Sequence, residues 1–211
     1  SNFVTWQQLA KRVGARFEVI DIDDEGELKE EDFDKVKGAK LLAITHASNV
    51  LGTINDITKL CRIAHEEGAV VMVDGAQSVP HASVNVQKID CEFLAFSGHK
   101  MLAPTGSGVL YGKEEMLEAM DPFMYGGSMI SEVHVEESKW SELPDKFEAG
   151  TPLAAGVIGL GAAIDYLNKI GMENVREHEK EITSYALQKM SEIKGTKTFG
   201  PSDVKKRVGV I

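Results

Sequence analysis

The chain has 211 residues, 43% of them apolar and 27% charged, the balance of a globular protein with a sizeable core. Its net charge of −10 excludes a general affinity for nucleic acid or anionic membrane, since both require basic surface. No apolar run approaches the roughly 20 residues of a membrane span, and the opening SNFVTWQQLAKRVG has neither the basic start nor the apolar stretch of a secretory signal.

Residues 3–13 have helical spacing, with Phe3, Trp6, Leu9, Ala10 and Val13 on one face. Arg16 to Ile22 alternates like a strand, and Leu28 to Val36 returns to helical spacing. KLLAITHA (40–47) is a continuous apolar run, as a strand buried on both faces requires. Ile57 to Glu67 is an amphipathic helix stopped by Gly68. AVVMVD (69–74), EFLAFS (92–97) and GVLYG (108–112) predict three more strands. Next come a short helix over 114–120, a loop at YGGSMISEVH (125–134) that reads as mobile, and a Gly/Ala-rich helix over 154–167. A long helix from Val175 to Ile193 is expected to turn Val175, Ile182, Tyr185, Ala186 and Met190 inward, and the closing KRVGVI reads as a strand. The order predicts an α/β domain with a mainly parallel sheet flanked by helices. Residues 1–170 form its main part, and 171–211 a linking helix and the beginning of a smaller domain. Both ends read as cut, because the first helix follows no earlier element and the last strand has no partner.

Cys61 lies on an apolar helix stripe and Cys91 precedes a strand, without the spacing of a metal site. They read as reduced, buried or half-buried thiols of a cytoplasmic protein. His65, His81, His134 and His178 are scattered and read as surface or structural, and the acidic run 21–34 as a solvated face.

In a parallel sheet, ligands gather beyond the carboxyl ends of the strands. There the sequence places Thr45, His46, Ser48 and Asn49 after the first buried run, Asp74 and Gln77 after the second, and Ser97, His99 and Lys100 after the third. One chemistry uses this set together. A lysine amine condenses with the aldehyde of pyridoxal 5'-phosphate, and a carboxylate keeps the pyridine nitrogen protonated. Lys100 and Asp74 suit those roles, Gln77 can bond the ring oxygen, and Ser97 and His99 can hold phosphate beside Lys100. His46 reads equally as a hydrogen-bonded strand-end histidine. A Walker B reading of Asp74 requires G-x-x-x-x-G-K-[ST], and GSGVLYGKE has neither the spacing nor the Ser/Thr.

VDGAQSVPH, SGHKMLAPTGSGVLYGKE, THASNVLGTI and KFEAGTP together resemble the class V aminotransferase family of fold-type I pyridoxal phosphate enzymes, most closely its SufS-like cysteine desulfurases. The resemblance runs over essentially the whole chain. It implies that Lys100 is the Schiff-base lysine and Asp74 the pyridinium partner. Gln77 and Asn49 then contact the ring oxygen or substrate, and Ser97 and His99 the phosphate. Thr151 reaches the neighbouring subunit's phosphate, so a homodimer is implied. The implied reaction takes sulfur from L-cysteine, leaves L-alanine, and passes sulfur to an acceptor protein of iron–sulfur cluster assembly. Selenocysteine lyase, or another amino-acid lyase, is the alternative on the same cofactor. A non-catalytic, partner-binding fragment is the alternative without it. The family's histidine pair precedes the position of Ser1, and its nucleophilic cysteine and carboxylate-binding arginine follow the position of Ile211. Cys61 and Cys91 match neither catalytic position.

Overall fold

The computed structural model describes residues 1–211. Four apolar runs pair into one sheet, β1 (Leu41–Thr45), β2 (Val70–Asp74), β3 (Phe93–Ser97) and β4 (Gly108–Gly112), in that spatial order. The first three are parallel and β4 returns antiparallel to β3. Leu42, Ile44, Val71, Val73 and Leu94 from the strands are buried in one cluster. The apolar stripe Ile57, Leu60, Cys61 and Ala64 of α2 completes it. α2 (Ile57–Glu66) starts where the Asp56 carboxylate accepts the Lys59 N–H at 3.0 Å.

α1 (Val4–Val13) precedes the sheet, the short α3 (Val86–Ile89) leads into β3, and α4 (Glu114–Ala119) follows β4. The long helices α5 (Ala154–Ile170) and α6 (Met172–Ser191) come last. The helical spacing at 28–36 takes the form of a 3-10 helix over Glu30–Val36.

Four expectations are corrected. Arg16–Ile22 forms no strand and contributes only a single bridge between Ile22 and Leu28. Residues 15–20 instead line an apolar cleft of about 560 Å³, together with α1 and the outer strand β1. No strand lies alongside to complete a ladder, and a pleated pattern without a ladder is not a strand. KRVGVI likewise makes one bridge, Thr53 to Arg207. The Arg207 side chain is buried and donates to the carbonyls of Pro201 and Val210, which folds the segment around itself. Part of the expected loop at 125–134 is regular, because β5 (Ile130–Val133) pairs antiparallel with β6 (Ser138–Trp140). On α6 the buried residues are Arg176, Glu179 and Thr183, while Ile182 and Tyr185 are 52% and 63% exposed. Val175, Ala186 and Met190, also expected inward, are half-buried.

The far side of the sheet is pinned by Glu92, which is buried just before β3. It accepts the Val71 N–H at 2.8 Å and Lys113 Nζ at 2.8 Å, and His65 Nε2 lies 3.2 Å away. One carboxylate thus ties β2, β3 and the residue after β4. Burial opposes its charge, but the bonds from Lys113, Val71 and His65 outweigh burial and hold its pKa below the usual carboxylate value. A depressed folded pKa gives stability that is present above pH 4.5, the ordinary value, and lost as pH falls below it. Glu92→Ala should cost about 3 kcal/mol at neutral pH, because Lys113 and the Val71 N–H lose a buried partner. It should also flatten the acid limb of the stability curve, as read from urea unfolding midpoints at neutral pH and near pH 4.

Candidate functional site

The carboxyl ends of β1, β2 and β3 stand side by side because their parallel register pairs Thr45 with Asp74 and Asp74 with Ala95. The backbone continues this registration past the strands. The His46 N–H donates to the Asp74 carbonyl at 2.9 Å, and the Gly75 N–H to the Ala95 carbonyl at 2.8 Å.

Asp74 is half-buried and held at both carboxylate oxygens. Oδ1 accepts the Ala76 N–H at 2.9 Å and Oδ2 accepts Asn2 Nδ2 at 2.8 Å. Each oxygen keeps a lone pair for a further donor. Asn2 was not expected at this site. It lies 72 residues away in the chain, and no local spacing signals such a contact.

A helical turn follows Asp74, with the Val79 N–H on the Gly75 carbonyl and the Ala82 N–H on the Ser78 carbonyl. It carries Gln77, half-buried, whose Oε1 lies 3.3 Å from His81 Nε2.

After Ser97, β3 passes directly into a 3-10 turn, Gly98–Met101, which bears His99 and Lys100. Gly98 is the residue this turn requires. Its N–H donates to the Ser107 carbonyl at 2.9 Å, and a Cβ would stand 2.2 Å from Ser107 Oγ. α5 braces the following loop just as closely, since a Cβ on Gly159 would meet Pro104 Cδ at 2.5 Å. Lys100 is half-buried and makes no ion pair, whereas Lys113 at the other end of the same hairpin pairs with Asp90 and Glu92.

His46, Asp74, Gln77, Ser97 and Lys100 are therefore brought to one edge of the sheet. His99 shares the turn with Lys100 but is exposed, and Asn49 is exposed in the turn after β1. Thr151 stands apart, exposed in the loop before α5. The His46 ring is largely buried, and its Nδ1 has no hydrogen-bond partner. Burial holds its pKa below the ordinary histidine value, with Asp56 pulling weakly the other way. A neutral ring with an open nitrogen is suited to a ligand contact.

This donor set fits pyridoxal phosphate: an unpaired amine, a fixed carboxylate with free lone pairs, an amide, a hydroxyl and an unpartnered imidazole. Neither cysteine belongs to it. Cys61 and Cys91 are both fully buried. Burial pushes the Cys61 thiol up to about 12 and the Cys91 thiol up to about 11, far from the range of a nucleophile.

The family model for aminotransferase class-V matches residues 1–211. A probable cysteine desulfurase of Halalkalibacterium halodurans is 50% identical over 213 residues, covering 100% of this chain and 52% of its own. A cysteine desulfurase of Haloferax volcanii is 48% identical, over 95% of this chain and 48% of its own. The apo structure of the cysteine desulfurase from Thermococcus onnurineus NA1 superposes with a TM-score of 0.94 at 42% identity, over 98% of this chain and 52% of its own. The chain spans about half the length of the curated relatives it matches.

The thiol environments predict that iodoacetamide at neutral pH leaves Cys61 and Cys91 unmodified in the folded chain and alkylates both in urea. Intact mass against time reads the difference, and rapid native alkylation of either cysteine would contradict the placement.

Proposed function

Since the chain belongs to the aminotransferase class-V family, we propose that its strand-end site holds pyridoxal 5'-phosphate and that the protein is a cysteine desulfurase, releasing L-alanine from L-cysteine. The observation that carries this reading is the half-buried Lys100, without an ion pair, in the turn after β3, at the same sheet edge as a carboxylate, Asp74, held at both oxygens. The relatives named cysteine desulfurase support the choice of substrate.

Bound pyridoxal phosphate supplies an aldehyde for amines and a ring that takes up electrons released at Cα. Lys100 Nζ is the amine that anchors it. Lys100 Nζ would also be the group placed to take the Cα proton of the substrate. Asp74 holds the proton on the ring nitrogen, and Asn2 and the Ala76 N–H keep its carboxylate in place. Gln77 would donate to the ring oxygen, and His46 would line the same strand end. Ser97 and His99 hold the phosphate, with the backbone of the Gly98 turn. Asn49 reaches the ring oxygen or the substrate, and Thr151 reaches the phosphate bound in the second subunit.

Sulfur leaves when the Cβ–S bond of cysteine breaks and an enzyme thiolate takes the sulfur as a persulfide. Cβ gains a proton in its place and alanine results. The burial of Cys61 and Cys91 removes both from that role. We assign the nucleophile, and the arginine for the substrate carboxylate, to the length of the relatives that this chain does not span.

The same proposal includes a SufS-like enzyme of the cytoplasm that gives sulfur to an acceptor protein of iron–sulfur assembly. It also includes residues 1–170 as part of the cofactor domain and 171–211 as the passage into a smaller one. A homodimer belongs to the same proposal, as the family resemblance implies.

The test is the visible spectrum of the full-length, cofactor-loaded protein before and after L-cysteine, with alanine measured in parallel. The band should change on mixing and alanine should accumulate. Asp74→Asn should keep the cofactor but slow alanine release by about two orders of magnitude or more, since the ring nitrogen loses its charged partner. A spectrum unmoved by L-cysteine, or near-normal turnover in Asp74→Asn, would contradict the reading.

A further inference from the structure

Asparagine is among the favoured N-caps of a helix, and Asn2 lies one residue from that position on α1. Phe3 takes the position instead, with no side-chain bond to the first turn. The Asn2 amide is turned toward the strand ends, where Nδ2 donates to Asp74 Oδ2 at 2.8 Å. Both residues are half-buried. The place of Asn2 is set by its neighbours. The Phe3 ring meets the Phe17 ring edge-on at 5.1 Å, and the Gln7 N–H closes the first turn on the Phe3 carbonyl at 2.9 Å. Asn2 also lines the same cleft as Thr45, the residue that pairs with Asp74 across the ladder.

The direction of the amide follows from its partner. A carboxylate has only acceptors, so an amide bonded to it presents NH₂ and not oxygen. The two bonds on Asp74 differ in what they fix. The Ala76 N–H belongs to the same turn, two residues on, and holds Oδ1 alone. About a single bond the carboxylate plane is still able to pivot. The second bond comes from a segment 72 residues away and holds Oδ2, and with it the plane. At a half-buried carboxylate, water is able to replace a missing donor. Water does not restore the direction, and a hydrogen bond weakens steeply once its angle falls below about 120°.

We propose that Asn2 is a positioning residue: by holding Oδ2 it fixes the Asp74 carboxylate in the plane that a bond from the ring nitrogen of the bound cofactor needs. The inference rests on the cofactor reading above and deepens it. The start of α1 forgoes a side-chain cap, and the strand-end carboxylate gains its second anchor from the residue that would otherwise be nearest to providing one.

The test uses the full-length protein loaded with pyridoxal phosphate that is isotope-labelled at the ring nitrogen, whose NMR signal reports protonation there without turnover. Asn2→Ala should lower the pH midpoint of that signal by about one pH unit, because a carboxylate free to pivot is a poorer partner for the ring N–H. Alanine release should fall about tenfold, as for the loss of one hydrogen bond, with the KM for L-cysteine unchanged. Asp74→Asn should lower the midpoint further. Adding Asn2→Ala to it should change neither readout, because Asn2 acts through Asp74 alone. Asn2→Asp keeps the shape and removes the donor. Two carboxylates in contact share a proton at low pH and repel each other once it is lost. The alanine release of Asn2→Asp relative to wild type should therefore fall as pH rises. An unmoved midpoint in Asn2→Ala, with Asp74→Asn shifted, would overturn the positioning role and leave the cofactor reading intact. Additive effects in the double variant would overturn it too, as would a ratio of Asn2→Asp to wild type that does not change with pH. An unmoved midpoint in Asp74→Asn would overturn the contact to the ring nitrogen on which the inference rests. Should Asn2→Ala fail to fold, the isosteric Asn2→Asp decides by its pH dependence.

Discussion

The parallel hydrogen-bond ladder of β1, β2 and β3 is the constraint on which the candidate site depends. It sets Thr45 beside Asp74 and Asp74 beside Ala95, so three chain segments leave the sheet at one edge. A slip of one residue would turn Asp74 to the opposite face and the buried valines outward. The apolar cluster beneath the strands resists that slip, and Glu92 resists it from the far side by bonding the Val71 N–H and Lys113 together. The rigidity of the site is thus inherited from the sheet. The side chains of the candidate site sit at the strand ends and on the short turns just beyond them, where backbone is shaped by glycine at Gly98.

Charge at the site is arranged by the contrast between two lysines of one hairpin. Lys113 is paired with Asp90 and Glu92, and those bonds hold its pKa above the ordinary lysine value despite burial. Lys100 has no such partner. An amine without an ion pair is available to react, and one locked between two carboxylates is not. Asp74 shows the complementary arrangement: its two bonds within the chain are both to uncharged donors, Asn2 and the Ala76 N–H. Neither bond brings a cation of the chain to it, which is the setting the proposed contact with a ring nitrogen needs. The two thiols, by contrast, are sealed in the core, where they serve packing beneath α2 and β3.

Much of this was legible in the sequence. Strands buried on both faces read as unbroken apolar runs, and the residues that follow them have to lie at one edge, which located His46, Asp74, Gln77, Ser97 and Lys100. What was not legible depends on partners distant in sequence. The alternation in Arg16–Ile22 is a strand pattern, but a strand exists only when another chain segment completes its ladder, and none does here. The apolar stripe expected on α6 lost to Arg176 and Glu179, whose burial depends on His81 and on carbonyls near residue 204. Asn2 reaches Asp74 across 72 positions. Periodicity reports which face of an element is apolar. It does not report which polar groups find partners, and here those partners decided both the face of α6 and the setting of the site carboxylate.

The claim at the centre of this account is that Lys100 alone, among the lysines of the chain, presents a reactive amine to an aldehyde held by Asp74. Borohydride reduction of the pyridoxal-phosphate-treated protein makes that attachment permanent, and peptide mapping by mass locates it. The account predicts a pyridoxyl group on the peptide carrying Ser97 to Met101, at Lys100, and its disappearance in Lys100→Ala without transfer elsewhere. A pyridoxyl group fixed on another lysine in the unaltered protein, with Lys100 left free, would contradict it.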